Sequence, residues 1–173
     1  RDELGIAKKR SISKIVGTSA DNYEIINVIN GTGVFASESV VIIRDTAYFM
    51  AEDGPYSWGS EGLTNIGAAK VGARFTPDTY FNRSRFSNAF GVWNQVDDSY
   101  DLHLASFDAS TENRWVSYHI KTGLWTGPHK TAAFTPVSAA QLEDSTGRAL
   151  LIIGGTDSNI YRANDPDFLD GSS

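Results

Sequence analysis

A short strand, a tight turn and a returning strand recur four times along this chain of 173 residues. The four copies occupy residues 4–16, 46–58, 102–118 and 149–162. Their turns are centred near residues 9, 53, 110 and 157, so the copies are spaced by about 44 to 57 residues. A loose repeat of roughly 40–50 residues, each unit a short antiparallel sheet, is typical of a β-propeller. Such a repeat is a scaffold and carries no chemistry by itself.

The repeat predicts an all-β chain that folds as a β-propeller-like array of about three to four blades. Helical periodicity is almost absent, and the many aromatic and glycine residues suit strands and turns. A β-sandwich is the alternative, but a sandwich needs no internal repeat. Because the chain starts and stops within units, we expect it to be part of a longer protein. We place the blade units at residues 1–37, 38–88, 89–133 and 134–173.

Two apolar runs, residues 40–43 and 151–153, are short and rich in β-branched residues. We interpret both as inner strands with both faces buried, and residues 115–120 as an alternating, half-exposed strand. Aromatic residues follow each turn and are predicted to fill the space between blades. They are Tyr56, Trp58, Tyr118, Trp125 and Tyr161. The alternative is that these rings form a platform on which a carbohydrate stacks.

The overall charge and composition argue against several classes of function. The formal net charge is −6, which disfavours a dedicated nucleic-acid binder. Without cysteine, the chain has neither disulfides nor thiolate metal sites. The longest apolar stretches are about five residues, whereas a membrane-spanning helix needs about 18. We therefore expect no direct nucleic-acid contact and no membrane segment.

The three histidines are His103, His119 and His129. His103 and His119 are predicted on adjacent strands, but no third ligand has the spacing of a metal site, so we interpret them as satisfied or surface residues. Asp165, Asp167 and Asp170 depart from the spacing of a calcium loop and are interpreted as a solvated acidic tail.

Paired carboxylates are the other candidates for chemistry. Glu52-Asp53 and Asp97-Asp98 each fall in a predicted turn, where aspartate is favoured for backbone reasons. No nucleophile motif and no phosphate-binding loop is present in the sequence. We therefore predict no catalytic, cofactor-binding or metal site, and no cofactor.

Four segments carry a family resemblance, and the first is residues 8–17. Residues 33–41 lead into residues 45–56, where Tyr48-Phe49 is followed by the turn Asp53-Gly54, and residues 157–162 close the last hairpin. This sequence pattern resembles that of virion proteins of tailed bacteriophages, over most of the chain except about residues 67–100. The resemblance implies a non-enzymatic β-propeller-like component of a phage tail or head–tail connector, made in the bacterial cytoplasm and located in the virion. Its implied partners are other copies of itself and other tail proteins.

Two further hypotheses remain open. The alternative function is a carbohydrate-binding or glycan-processing propeller, which exposed aromatic rings near carboxylates would support. The charge is also uneven, at +3 over residues 1–16 and −4 over residues 141–173. A basic start that meets an acidic end, in a closing ring or on a neighbouring subunit, would explain this distribution.

Overall fold

The computed structural model describes residues 4–67, 75, 80–131 and 134–163. Within those residues the chain forms fourteen strands in four antiparallel sheets and two short 3₁₀ helices, Ala20–Asn22 and Arg83–Asn88. The predicted all-β fold is confirmed. The sheets take their strands from residues 4–30, 36–65, 90–129 and 136–163. The boundaries of the predicted blade units remain predictions.

Sheet I has three strands in the order β1 (Leu4–Lys8), β2 (Ser11–Val16) and β3 (Glu24–Asn30). The predicted turn at Lys9-Arg10 joins β1 to β2. Its neighbour is sheet II, in which four strands follow one another in chain order. They are β4 (Ala36–Ile43), β5 (Thr46–Ala51), β6 (Gly54–Gly59) and β7 (Gly62–Asn65). Gly54 closes the β5–β6 turn at a φ of 144°, a conformation that favours glycine.

Sheets III and IV repeat this up-and-down arrangement. Sheet III contains β8 (Phe90–Asn94), β9 (Ser99–Leu104), β10 (Arg114–His119) and β11 (Leu124–His129). Sheet IV contains β12 (Pro136–Glu143), β13 (Ala149–Gly155) and β14 (Ile160–Ala163). The acidic pairs at residues 52–53 and 97–98 lie in turns, as predicted.

The four sheets pack face to face in the order of the chain. Ile12 of sheet I packs with Phe49 and Tyr56 of sheet II. A larger cluster joins the other face of sheet II to sheet III and includes Tyr48, Met50, Tyr100, Leu102 and Val116. A third cluster, Val92 with Leu151 and Ile153, joins sheets III and IV. The first strands of the last three sheets also touch in series, β4 against β8 and β8 against β12.

The aromatic residues after the turns pack between sheets, as predicted. Tyr56 and Trp58 belong to the cluster between sheets I and II, and Tyr118 and Trp125 to the cluster between sheets II and III. The Trp125 indole also donates a hydrogen bond of 2.8 Å to the Ile66 carbonyl. Tyr161 lies flat on Phe134 with ring centroids 3.7 Å apart.

The prediction that residues 40–43 are buried on both faces is wrong. Ile43 is buried, but Val40 is exposed and Ile42 is 70% exposed. Ile42 pairs with Ala47, and Ala47 pairs with Trp58, so these three side chains share the face of sheet II that points toward sheet I. Sheet I covers Trp58 and leaves Ile42 uncovered. In residues 151–153 only Leu151 and Ile153 are fully buried.

Candidate functional site

The two faces of sheet III differ in chemistry. Side chains alternate between faces along a strand. In β9 this alternation directs Tyr100, Leu102 and Leu104 toward sheet II and directs Ser99, Asp101 and His103 toward sheet IV. All six are buried. Neighbouring strands add further polar groups to the second face, so sheet III presents a polar wall toward sheet IV.

A cleft of about 380 Å³ lies between this wall and sheet IV. The side from sheet IV is apolar and consists of Leu151, Ile153 and Ala163. The polar side brings together all three histidines of the chain, which come from β9, β10 and β11. The volume is within the range of small-molecule pockets, which is roughly 300–1,000 Å³. The cleft is therefore a candidate ligand site.

Asp101 is the buried carboxylate of the polar wall. Its Oδ1 accepts a hydrogen bond of 2.8 Å from the Ser99 hydroxyl, and its Oδ2 accepts one of 3.2 Å from the Asn94 amide. Ser117, the partner of Asp101 on the neighbouring strand, lies on the same face. Burial raises the pKa of Asp101, and these hydrogen bonds partly offset the effect. Since Asn94 also donates to Asp97 at 3.0 Å, the network ties the β8–β9 turn to the sheet.

His103 lies in a row of four rings that crosses sheet III. Phe90, His103, Trp115 and His129 are cross-strand partners, with adjacent ring centroids 4.3 to 5.8 Å apart. His103 is 1% exposed, and its Nδ1 has no hydrogen-bond partner among the described residues. Burial lowers the pKa of His103 to about 3, so its imidazole is neutral near pH 7. His103 is thus a buried histidine stacked between two aromatic rings, and not a surface residue.

The other two histidines meet at a hydroxyl group. Thr126 Oγ1 lies 3.4 Å from His119 Nε2 and 3.3 Å from His129 Nε2. Among the residues that the structure describes, no three histidine or carboxylate side chains are arranged to hold a metal ion. The expectation that the chain has no metal site stays a prediction. The acidic tail at Asp165, Asp167 and Asp170 lies outside the described residues.

The ring row limits what the cleft can do. Trp115 has His103 on one side and His129 on the other, so its ring faces are occupied and are not a free platform for a sugar. The wall instead offers hydroxyl, imidazole and carboxylate groups as hydrogen-bond acceptors. Sequence reasoning missed Asn94, Ser99 and Asp101 because alternating polar residues in a strand normally indicate a solvent-facing side.

A second kind of surface occurs at the two ends of the stack. On the outward face of sheet I, Leu4, Ile15 and Ile25 form one cross-strand row, and Leu4 and Ile25 are 63% and 65% exposed. The outward face of sheet IV carries Leu142 and Ile160, both exposed. Large exposed apolar patches commonly mark sites of protein association.

No protein-family model matches this chain, and no curated protein matches it. No helix within the described ranges has the length and apolar character needed to cross a bilayer. The polar cleft and the uncovered apolar faces of sheets I and IV are the features that bear on function.

Proposed function

We propose that this chain is a non-enzymatic structural module of a multi-subunit assembly, and that it binds neighbouring proteins through the two ends of its sheet stack. The observation that carries the proposal is the uncovered apolar surface on the outward faces of sheets I and IV. Leu4 and Ile25 are both cross-strand neighbours of Ile15 on the outward face of sheet I, and both are largely exposed. A face of this kind is stabilised when another protein surface removes it from water.

We further propose that the stack is propeller-like. A β-sandwich has two layers, and each sheet buries one face. Here sheets II and III each pack against a neighbouring sheet on both faces, and the first strands β4, β8 and β12 adjoin one another along one side. Successive blades of a propeller pack in this way around a common axis. The arrangement supports a propeller over a sandwich.

The proposed setting is a phage tail or head–tail connector. Support comes from the sequence motif at residues 33–41 and 45–56 that resembles phage virion proteins. Its residues have structural roles in sheet II. The Ser39 hydroxyl donates to the Ala36 carbonyl at 2.7 Å and accepts from the Met50 amide at 2.8 Å. A resemblance that rests on such packing residues suits a scaffold, in which the chain works by being held rigidly in an assembly with other tail proteins.

The association is tested by sedimentation velocity over a wide range of protein concentration. We expect self-association or binding to tail proteins that is lost when Ile25→Lys and Leu142→Lys place charges on the two outward faces. The matched control is Val96→Lys, which changes an exposed residue at the β8–β9 turn. A chain that stays monomeric and binds no tail protein would contradict the proposal, and so would its absence from purified virions analysed by mass spectrometry.

A further inference from the structure

The cleft between sheets III and IV holds two carboxylates close together. The side-chain amide of Asn94 donates hydrogen bonds to both, at 3.0 Å to Asp97 and at 3.2 Å to Asp101. A single nitrogen thus lies between two groups of like charge, which repel each other. Asp97 is exposed and Asp101 is 3% exposed, so the pair extends from the solvent-facing part of the cleft into its buried wall.

The cleft offers no positive charge to balance this pair. Among the described residues that line it, none is a lysine or an arginine. Other acidic residues nearby in the sequence have such a partner: Asp98 pairs with Arg44 at 3.0 Å, outside the cleft. Likewise, Glu112 pairs with Arg85 at 3.3 Å. No ion pair between described residues includes Asp101. A buried carboxylate without a counter-ion is costly in free energy, so the cleft favours a cation.

The same wall contains a second buried group that lacks a partner. His103 lines the cleft, is 1% exposed, and its Nδ1 makes no hydrogen bond among the described residues. A neutral imidazole has one nitrogen that accepts a hydrogen bond. Ser99 adds a further acceptor, because its hydroxyl proton is directed to Asp101 at 2.8 Å. The wall is therefore rich in acceptors, and an ammonium group, with three donors and no acceptor, suits it.

The opposite side of the cleft has a different chemistry. It consists of Leu151, Ile153 and Ala163 from sheet IV, and the first two are buried. Contact with such a surface strengthens binding by about threefold to fourfold for each methylene group that leaves water. The volume of about 380 Å³ accommodates a small molecule. The cleft thus combines an acidic side with an aliphatic side.

We infer that the cleft between sheets III and IV binds a small aliphatic primary ammonium compound. Its ammonium group would lie against Asp97 and Asp101 and donate charge-assisted hydrogen bonds, which are about twice as strong as neutral ones. Its aliphatic part would pack on Leu151 and Ile153. The cleft is separate from the outward faces of sheets I and IV, so this inference goes beyond the proposed structural function and does not depend on it.

The test is a titration of the whole chain with butylammonium chloride at constant ionic strength, followed by the amide resonances in NMR spectra. We expect saturable shifts at millimolar concentration in Ser99–Leu104 and Ala149–Gly155, and none in Leu4–Lys8. Butanol and sodium butyrate have an aliphatic chain without a positive charge, and their binding should be weaker by about tenfold or more. Methylammonium chloride lacks most of the apolar body and should also bind about tenfold more weakly.

Two variants test the site from its two sides. Asp101→Asn removes the buried charge with little change in size and should weaken butylammonium binding about tenfold or more. The matched control Asp45→Asn changes the net charge equally in the exposed β4–β5 turn and should leave binding unchanged. Ala163→Leu fills the cleft from sheet IV and should also weaken binding, and the amide spectrum shows whether each variant is folded.

A free amine and a lysine side chain of a neighbouring protein share this chemistry. Nα-acetyl-lysine methylamide distinguishes them, since weaker binding than butylammonium indicates a free amine and tighter binding indicates a lysine side chain. Either result supports the site.

Several results would overturn the inference. They are the absence of saturable shifts, equal binding of butanol, tighter binding of butyrate, and unchanged binding in Asp101→Asn. Shifts of the same size with sodium chloride alone would identify a site for any cation and would also overturn it. Ile25→Lys, which tests association through sheet I, should leave butylammonium binding unchanged, so the two proposals fail independently.

Discussion

Sheets I and III are built from the same kind of hairpins, yet sheet III buries polar side chains and sheet I exposes apolar ones. Sheet III buries Ser99, Asp101 and His103 in its second strand. Sheet I leaves Leu4 and Ile25 largely exposed to water. The difference follows from position in the stack, because among the described residues sheet III has a neighbouring sheet on both faces and sheet I has one on a single face. Burial in this fold is thus decided by the neighbouring sheet more than by the hydrophobicity of the residue.

Burying polar side chains in sheet III and exposing apolar ones in sheet I each carry a free-energy cost. A buried polar group is costly unless it is hydrogen-bonded, and Asp101 meets this requirement through Ser99 and Asn94. His103 Nδ1 does not meet it within the described residues. Sheet I carries the opposite cost, because its apolar row stays in water until another surface covers it. The polar wall thus specifies how sheets III and IV fit together, and the apolar row favours association.

The largest expected difference between the two sheets is in the cost of truncating a leucine. Leu102→Ala removes a fully buried side chain from the cluster between sheets II and III. We expect a loss of about 2–5 kcal/mol in the free energy of unfolding, from lost transfer energy and a residual cavity. Leu4→Ala in sheet I is the matched control and should cost less than about 1 kcal/mol. Equal losses in urea unfolding would mean that sheet I is covered in solution.

Replacing a glycine should also cost more stability in sheet III than in sheet I, but the difference should be smaller than for the leucines. A Cβ at Gly91 of sheet III would be 2.7 Å from the Ser39 carbonyl oxygen and 2.7 Å from the Tyr100 ring, both held by packing. We expect Gly91→Ala to cost about 1–3 kcal/mol, measured by thermal or urea unfolding. At Gly5 of sheet I the nearest group is the end of the Trp58 side chain, which is half-buried and able to move. A Gly5→Ala variant as unstable as Gly91→Ala would contradict this comparison.

The strands and turns of this fold were predictable because they depend on local sequence. The turn at Asp53-Gly54 and the alternation around it identify β5 and β6, and Lys9-Arg10 does the same for β1 and β2. The all-β class and the four repeated units follow from such signals. The aromatic residues after the turns were also assigned correctly to the space between sheets.

Which face of a strand is covered was not predictable, since this depends on sheets far away in sequence. Val40 and Ile42 belong to a run that is typical of a buried strand, but sheet I ends before it reaches them. Ser99, Asp101 and His103 have the pattern of a solvent-facing side, but sheet IV covers them. The meeting of three histidines in one cleft depends on the registers of β9, β10 and β11, which no local pattern encodes.

The buried histidine of sheet III should make the stability of the protein depend on pH. The pKa of His103 is lowered to about 3 in the folded chain, and an unfolded histidine has a value near 6.5. Between these values the unfolded chain binds one more proton at this site than the folded chain. Stability therefore falls as pH falls below about 6.5, by at most about 1.4 kcal/mol per pH unit.

His103→Phe preserves the ring row and removes this proton uptake, so its stability should fall less between pH 7 and 4.5 than that of the unmodified chain. Urea unfolding at several pH values measures the difference. Asp101 contributes to the pH dependence of stability with the opposite sign. Because its pKa is raised, the folded chain binds a proton at this site before the unfolded chain does as the pH falls. Asp101→Asn should therefore make stability fall more steeply as the pH is lowered. Parallel curves for the unmodified chain and His103→Phe would refute the assignment.

The smallest expected effect is on the outward face of sheet I. Ile25→Thr replaces an exposed aliphatic residue of β3 with a polar residue that also favours strands. For the dilute chain we expect the free energy of unfolding to change by less than about 0.5 kcal/mol, whereas Ile153→Thr, at a buried position of sheet IV, should cost more. A loss above about 1 kcal/mol for Ile25→Thr that disappears on dilution would mean that a second molecule covers this row. The same loss at every concentration would show that sheet I is covered within the single chain, and the contrast between sheets I and III would then no longer hold.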